Sequence, residues 1–171
     1  MDYAYDLGRY SRSVTTGSKD AQTWFDRGLN WIYGFNHKEA IACCIQAAKA
    51  DPTCAMAHWG HAYAAGPNYN MPWVLYDSKG RAEALEEAYD ATQVALSHVD
   101  NVSAPEAALI RALTARYPQR DIAEDMESWD HAFADAMRQA HHAHPTDPEV
   151  ATAFVDALMN LTPWQMWNIA T

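Results

Sequence analysis

Apolar residues recur at three- and four-residue spacing along almost the whole chain from Asp20 onward, which is the signature of helices that each bury one face. In "DAQTWFDRGLNWIYGF", Trp24, Gly28, Trp31 and Ile32 follow this spacing, with Asp20 placed to cap the N-terminus and Gly34 to close the helix. A second helix opens at Asn36, has Glu39 three residues later as capping-box partner, and stops at Asp51-Pro52. "AMAHWGHAYAAG" and "SKGRAEALEEAYDATQVALSHV" predict a third and a fourth, the latter with a stripe of Ala84, Ala88, Ala91 and Ala95. Ser103 and Glu106 open a fifth that Pro118 ends; a sixth runs from about Ile122 to His142; a seventh starts with Asp147 as cap and Pro148 in the first turn. Thr162-Pro163 marks the start of an eighth. The expected fold is therefore all-α, with about seven helices plus the start of an eighth over residues 20–171, behind an extended lead-in over residues 1–19 that has no sustained period.

The first two helices carry more than a period. If Pro52 closes a helix-turn-helix repeat of about 34 residues, then Trp24, Gly28, Ala40, Ala47 and Pro52 fall on signature positions of the tetratricopeptide repeat. Gly28 and Ala40 would be small where the two helices cross closely, and Trp24 would fill the space inside the pair. Arg27 and Cys44 depart from the pattern, which has Leu and a large apolar residue at these places. The segments "YGFNHKEAI", "DPTCAMAHWG", "GPNYN" and "ALMNLTPW" resemble the N-terminal part of longer tetratricopeptide-type proteins. That resemblance implies an antiparallel helix-pair superhelix, an α-solenoid, whose first helices line a concave groove. On this register the groove residues are Phe25, Leu29, Ile32 and Tyr33 with Gln22, followed by Met56, Trp59 and Tyr63. The groove is then apolar and aromatic, suited to a protein or peptide partner that presents an amphipathic helix. It lacks the Lys, Asn and Arg that grip an acidic peptide terminus in one subtype of the family.

Three other features bear on function. The loop "GPNYNMPW" is too apolar for a free linker, and Asn68 and Asn70 are placed to bond backbone or a ligand beside the groove. Cys54, His58 and His61 lie four and three apart, within roughly 60° of arc on one helical face, so they form a candidate site for one transition-metal ion, zinc, copper or iron, and a metal-dependent enzyme. The competing reading makes His58 and His61 interior residues bonded to backbone and expects no cofactor. His141, His142 and His144 end the sixth helix, where imidazoles meet free carbonyls. No Gly-rich phosphate loop or GxSxG elbow occurs.

Composition narrows the partners. With 12 basic against 22 acidic residues, the formal charge is −10, which repels nucleic acid. No apolar run reaches membrane-spanning length, the first twenty residues lack a secretory pattern, and three cysteines make no disulfide framework, so the expected location is cytoplasmic. No polar cap is written near the end of the sequence. Trp164, Met166, Trp167 and Ile169 there predict an apolar patch that a partner, a second copy or a continuation of the chain would cover, the last making this a fragment of a longer protein.

Overall fold

The computed structural model describes residues 3–165 and 167. Among the described residues the chain is all-α, with α1 Lys19–Tyr33, α2 His37–Ala50, α3 Ala55–Ala65, α4 Ser78–Ser97, α5 Ala104–Arg116, α6 Glu127–Ala143 and α7 Pro148–Asn160. Local chemistry sets most boundaries. The Asn36 side chain accepts from Glu39 N (3.3 Å), Asp77 from Gly80 N (2.6 Å), and Asp147 from Glu149 N and Val150 N (both 3.0 Å). Each bond satisfies an amide that a helix start otherwise leaves free.

Two boundaries differ from expectation. Ser18, not Asp20, caps α1, accepting from Ala21 N at 3.2 Å, and Asp20 sits in the first turn, where the helix dipole favours a carboxylate. The sixth helix starts at Glu127 rather than Ile122. Asp125 bonds Ser128 N through its carboxylate and Ser128 Oγ through its carbonyl, a local turn that competes with helical pairing. Beyond α7, Gln165 N reaches Thr162 O (3.0 Å) in a turn, and Trp164 and Trp167 are exposed. The rest of the expected eighth helix, with Met166 and Ile169, lies outside the described residues.

Every helix packs on the next, and α3 also touches α1 and α5. Close approach is written into small residues. A Cβ on Gly28 would stand 2.7 Å from Cys44 Sγ and 3.3 Å from Ala40 O, and one on Gly60 would stand 2.8 Å from the same sulfur. Cys44 thus fills the space where α1, α2 and α3 meet, and a larger side chain has no room there. Arg27, the other departure, lies over the rings of Tyr3 (4.3 Å) and Trp24 (4.5 Å), a cation held between two aromatic faces.

The extended lead-in is anchored at several points. Tyr3 OH takes a bond from Trp31 Nε1 (2.7 Å) and gives one to Glu39 (3.0 Å). Tyr10 OH donates to Glu149 (2.7 Å), Arg12 pairs with Asp147 (2.8 Å), and Thr15 donates twice to Glu106 (2.7 and 2.6 Å). The segment therefore runs from α1 and α2 to the starts of α5 and α7. Glu106 and Glu149 are almost wholly buried, yet both are surrounded by donors. Burial alone would raise the Glu106 carboxyl, but bonds from Ser103 and Thr15 outweigh it and hold the group below its usual range.

Gly66 ends α3 under the ring of Tyr117, whose hydroxyl donates to Ala62 O (3.2 Å). A Cβ at Gly66 would lie 1.8 Å from that hydroxyl and 2.7 Å from Cζ, whereas one at Gly17 meets nothing within 4 Å. Gly66→Ala is expected to destabilise the protein by about 3 kcal/mol or more, and Gly17→Ala to stay within about 0.5 kcal/mol of the parent. Urea denaturation of both variants checks the difference.

Candidate functional site

The expected groove residues separate into two groups. Phe25, Leu29, Met56 and Trp59 are at most 2% exposed and share one continuous core with Leu109, Ile110 and Leu113 of α5 and Val150, Ala153 and Ala157 of α7. The chain itself occupies the space in front of them. Tyr33, Tyr63 and Asn68 instead line a cleft of about 170 Å³ between α1, α7 and the loop after α3, together with Phe35, Val155 and Met159. Asn70 is exposed outside it, its N–H bonded to Asn68 Oδ1 (3.0 Å).

Two tyrosines join α7 to the first helices at this cleft. Tyr33 OH donates to Glu149 (2.7 Å) and Tyr63 OH to Asp156. Burial and the facing carboxylates push both phenols up, so both remain donors at any physiological pH. His37, on the same wall, is held below its usual pKa by burial, with Nδ1 3.3 Å from Ala64 O.

The expected metal ligands do not converge. His58 Nε2 donates to Pro52 O (3.0 Å), and burial lowers its pKa; His61 Nε2 lies 2.7 Å from Glu87. Cys54 is buried at the start of α3, where desolvation raises its thiol pKa. Among the described residues, no group of three or more His, Cys, Asp or Glu side chains is placed to hold a metal ion. Burial also raises the pKa of Cys43 and Cys44, which removes the thiolate that nucleophilic chemistry needs. His144 closes α6, and the ring of His141 stacks on Phe154 (5.5 Å between centroids).

What the site is built around is a residue that sequence reading passed over. Arg116, 1% exposed, donates to Pro67 O (2.7 Å) and lies 4.7 Å from the ring centroid of Phe133, 5.3 Å from Tyr63 and 5.8 Å from Tyr117. Burial opposes its charge, but Tyr117, Tyr63, Asp156 and Asp130 around it keep it protonated. A signal was available: Arg116 continues the inward stripe of Leu109 and Leu113 on α5, and Asp130 sits in the stripe of Met126, Phe133 and Met137. A charge at such a position is either exposed at a helix end or a buried centre.

A second, larger concavity of about 440 Å³ lies between the loop at Pro72–Val74, the start of α6 and the end of α7. Asp130, Trp73, Arg81 and Asn160 line it. No residue is shared between its wall and the apolar cleft. Comparison with protein-family models, with curated proteins and with solved structures gives no match. No helix among the described residues is long and apolar enough to cross a membrane.

Burial raises the Asp130 carboxyl to about 6, the nearby Arg116 only partly opposing this. Near pH 4 the side chain is protonated in the fold and burial carries no charge penalty. As pH rises through 4 to 6, the unfolded chain loses its proton first, so this group's contribution to stability falls, by about 3 kcal/mol at most, and stays low above that window. Asp130→Asn is therefore expected to match the parent near pH 4 and to be more stable by about 1–3 kcal/mol at pH 7.5. Urea melts at the two pH values measure it.

Proposed function

We propose that the protein is a tetratricopeptide-type interaction module, and that its partner is a basic amphipathic helix whose apolar side chain enters the cleft between α1 and α7. The observation that carries this reading is Phe35. It has φ +58°, in the left-handed region, where a glycine would sit without strain. It follows the Gly34 cap of α1, with Asn36 N bonded back to Trp31 O (3.0 Å). An aromatic held there at a conformational cost of about 1–2 kcal/mol, and 56% exposed at the rim of an apolar cleft, has a better account in recognition than in folding.

Val155, 54% exposed on the opposite wall, gives the cleft a second apolar lip. A formal charge of −10 complements basic residues on the polar face of the incoming helix and speeds its encounter. Tyr63 and Asn68 at the floor supply polar atoms that orient it.

A designed Leu/Lys amphipathic peptide of about 18 residues, long enough to form a helix on the surface, is a suitable probe, with a scrambled peptide of the same composition as control. Tight binding of the first over the second is expected. Val155→Asp should weaken it at least tenfold. Phe35→Gly should weaken it several-fold while raising stability by about 0.5–1 kcal/mol, read by a thermal melt. Parent-like affinity in both variants would overturn the assignment of the cleft.

A further inference from the structure

The three most exposed large apolar side chains among the described residues are Trp167 (83%), Val74 (75%) and Trp164 (57%). Val74 and Trp164 stand in the wall of the larger concavity with Pro72, Leu161 and Pro163, and Trp167 lies three residues beyond Trp164. Tyr69 braces the Trp164 ring edge-on, with 6.4 Å between centroids. Covering apolar surface recovers roughly 25 cal/mol per Å², so exposed side chains gathered at one concavity mark a surface that another molecule covers.

The rim sets the charge of that molecule. Glu124, Asp125 and Glu127 are exposed around the mouth, and none of the three is in an ion pair among the described residues. Arg120, the nearest basic side chain in sequence, is held by Asp90 (2.9 Å) and Glu86. Arg81, in the wall itself, is turned to Tyr76 O (3.3 Å), and His131 beside it opposes a cation only when protonated. The free charge at the mouth is therefore negative.

A guanidinium suits both halves of such a surface. Its plane stacks on an indole, its N–H fork pairs with carboxylates, and its methylene stem lies against apolar lips such as Val74 and Leu161. The fold itself uses this stacking, with Arg27 over Trp24 (4.5 Å) and Tyr3 (4.3 Å). Lysine matches the charge but not the plane. A second copy of this chain is a poor occupant, because a two-fold contact would bring the acidic rim against itself. The walls are a loop and two helix ends rather than a groove along a helix, which suits a short extended segment.

We infer that this face docks an extended, arginine-rich segment of a partner protein, its guanidinium groups on Trp164 and the carboxylates of Glu124, Asp125 and Glu127, and its apolar side chains against Val74, Leu161 and Pro163. The surface is separate from the cleft between α1 and α7 and stands whether or not that cleft binds a helix.

Isothermal titration of the full chain with a short Arg/Leu/Pro peptide tests it, the prolines keeping the probe extended. Comparison peptides carry lysine or glutamate for arginine, or serine for leucine. Saturable binding that weakens with added salt is expected for the arginine peptide, roughly tenfold weaker binding for the lysine and serine peptides, and none for the glutamate peptide. Trp164→Ala should weaken binding by at least about tenfold, and Glu124→Gln combined with Glu127→Gln by a similar factor with a flatter salt dependence. All three positions are exposed, so thermal melts of these variants should match the parent. Val155→Asp, at the other cleft, should leave the affinity unchanged. No saturable binding at millimolar order, equal affinity of the lysine or glutamate peptide, parent-like affinity in Trp164→Ala, or lost binding in Val155→Asp would each overturn the proposal. So would a dimer that Trp164→Ala abolishes, since the occupant would then be a second copy.

Discussion

A guanidinium without water around it constrains everything near it. Removing such an ion from water costs several kcal/mol, and that cost is recovered only where the geometry of the surroundings is good. Around Arg116 the recovery is spread over many elements: the Pro67 carbonyl after α3, the rings of Tyr63, Tyr117 and Phe133 on three segments, and the more distant charges of Asp130 and Asp156. None of these comes from a residue next to it in sequence except Tyr117. The ion therefore fixes where α3, α6, α7 and the loop after α3 stand relative to α5. Its neighbours border both concavities, Tyr63, Pro67 and Asp156 the one and Asp130 the other. Nε and Nη1 of Arg116 have no hydrogen-bond partner among the described residues, so aromatic faces rather than oxygen atoms carry much of the compensation.

The elements were legible because caps and periods are local. Asn36, Ser103 and Asp147 each announce a helix within three residues of its start, and the structure has a helix behind each. The sixth helix was drawn five residues too long because a side-chain turn at Asp125 has no periodic signature and leaves the apolar spacing intact. The lead-in was read only as an extended segment, its anchoring unseen, for a related reason. Its anchors, Tyr10 on Glu149 and Thr15 on Glu106, lie more than ninety residues apart in sequence, and nothing in a local window marks them.

The groove shows where local reasoning stops. The repeat register put Phe25, Leu29, Met56 and Trp59 on one side of the first helices, and they do lie together there, but whether that side is open depends on how far the chain curls back. Here α7 comes close enough for Glu149 and Asp156 to reach Tyr33 and Tyr63. How near α7 comes depends on the packing at every helix contact in between, such as Gly28 against Cys44, and is not readable from any one of them. The three metal candidates do not converge in the structure for a simpler reason. A shared face at four- and three-residue spacing brings side chains near one another, but His58 found Pro52 O and His61 found Glu87, partners the helix wheel does not contain.

The treatment of buried acids within this one chain separates structure from site. Glu106 is 2% exposed and accepts from both Ser103 and Thr15; Glu149 is 1% exposed and accepts from Tyr10 and Tyr33, with Arg12 nearby. Wherever a carboxylate supports the fold, the fold surrounds it with donors. Asp130 is nearly as buried, and among the described residues its Oδ1 has no donor. As a distant counter-charge to Arg116, which Asp156 also faces, Asp130 pays for a bare oxygen that a leucine in the same stripe would not have. Phe35 and Trp164, the two non-glycine residues with positive φ among the described residues, stand on the walls of the two concavities. Positive-φ strain lies at the openings, while the core between them is closed and keeps unpartnered polar atoms of its own on Arg116.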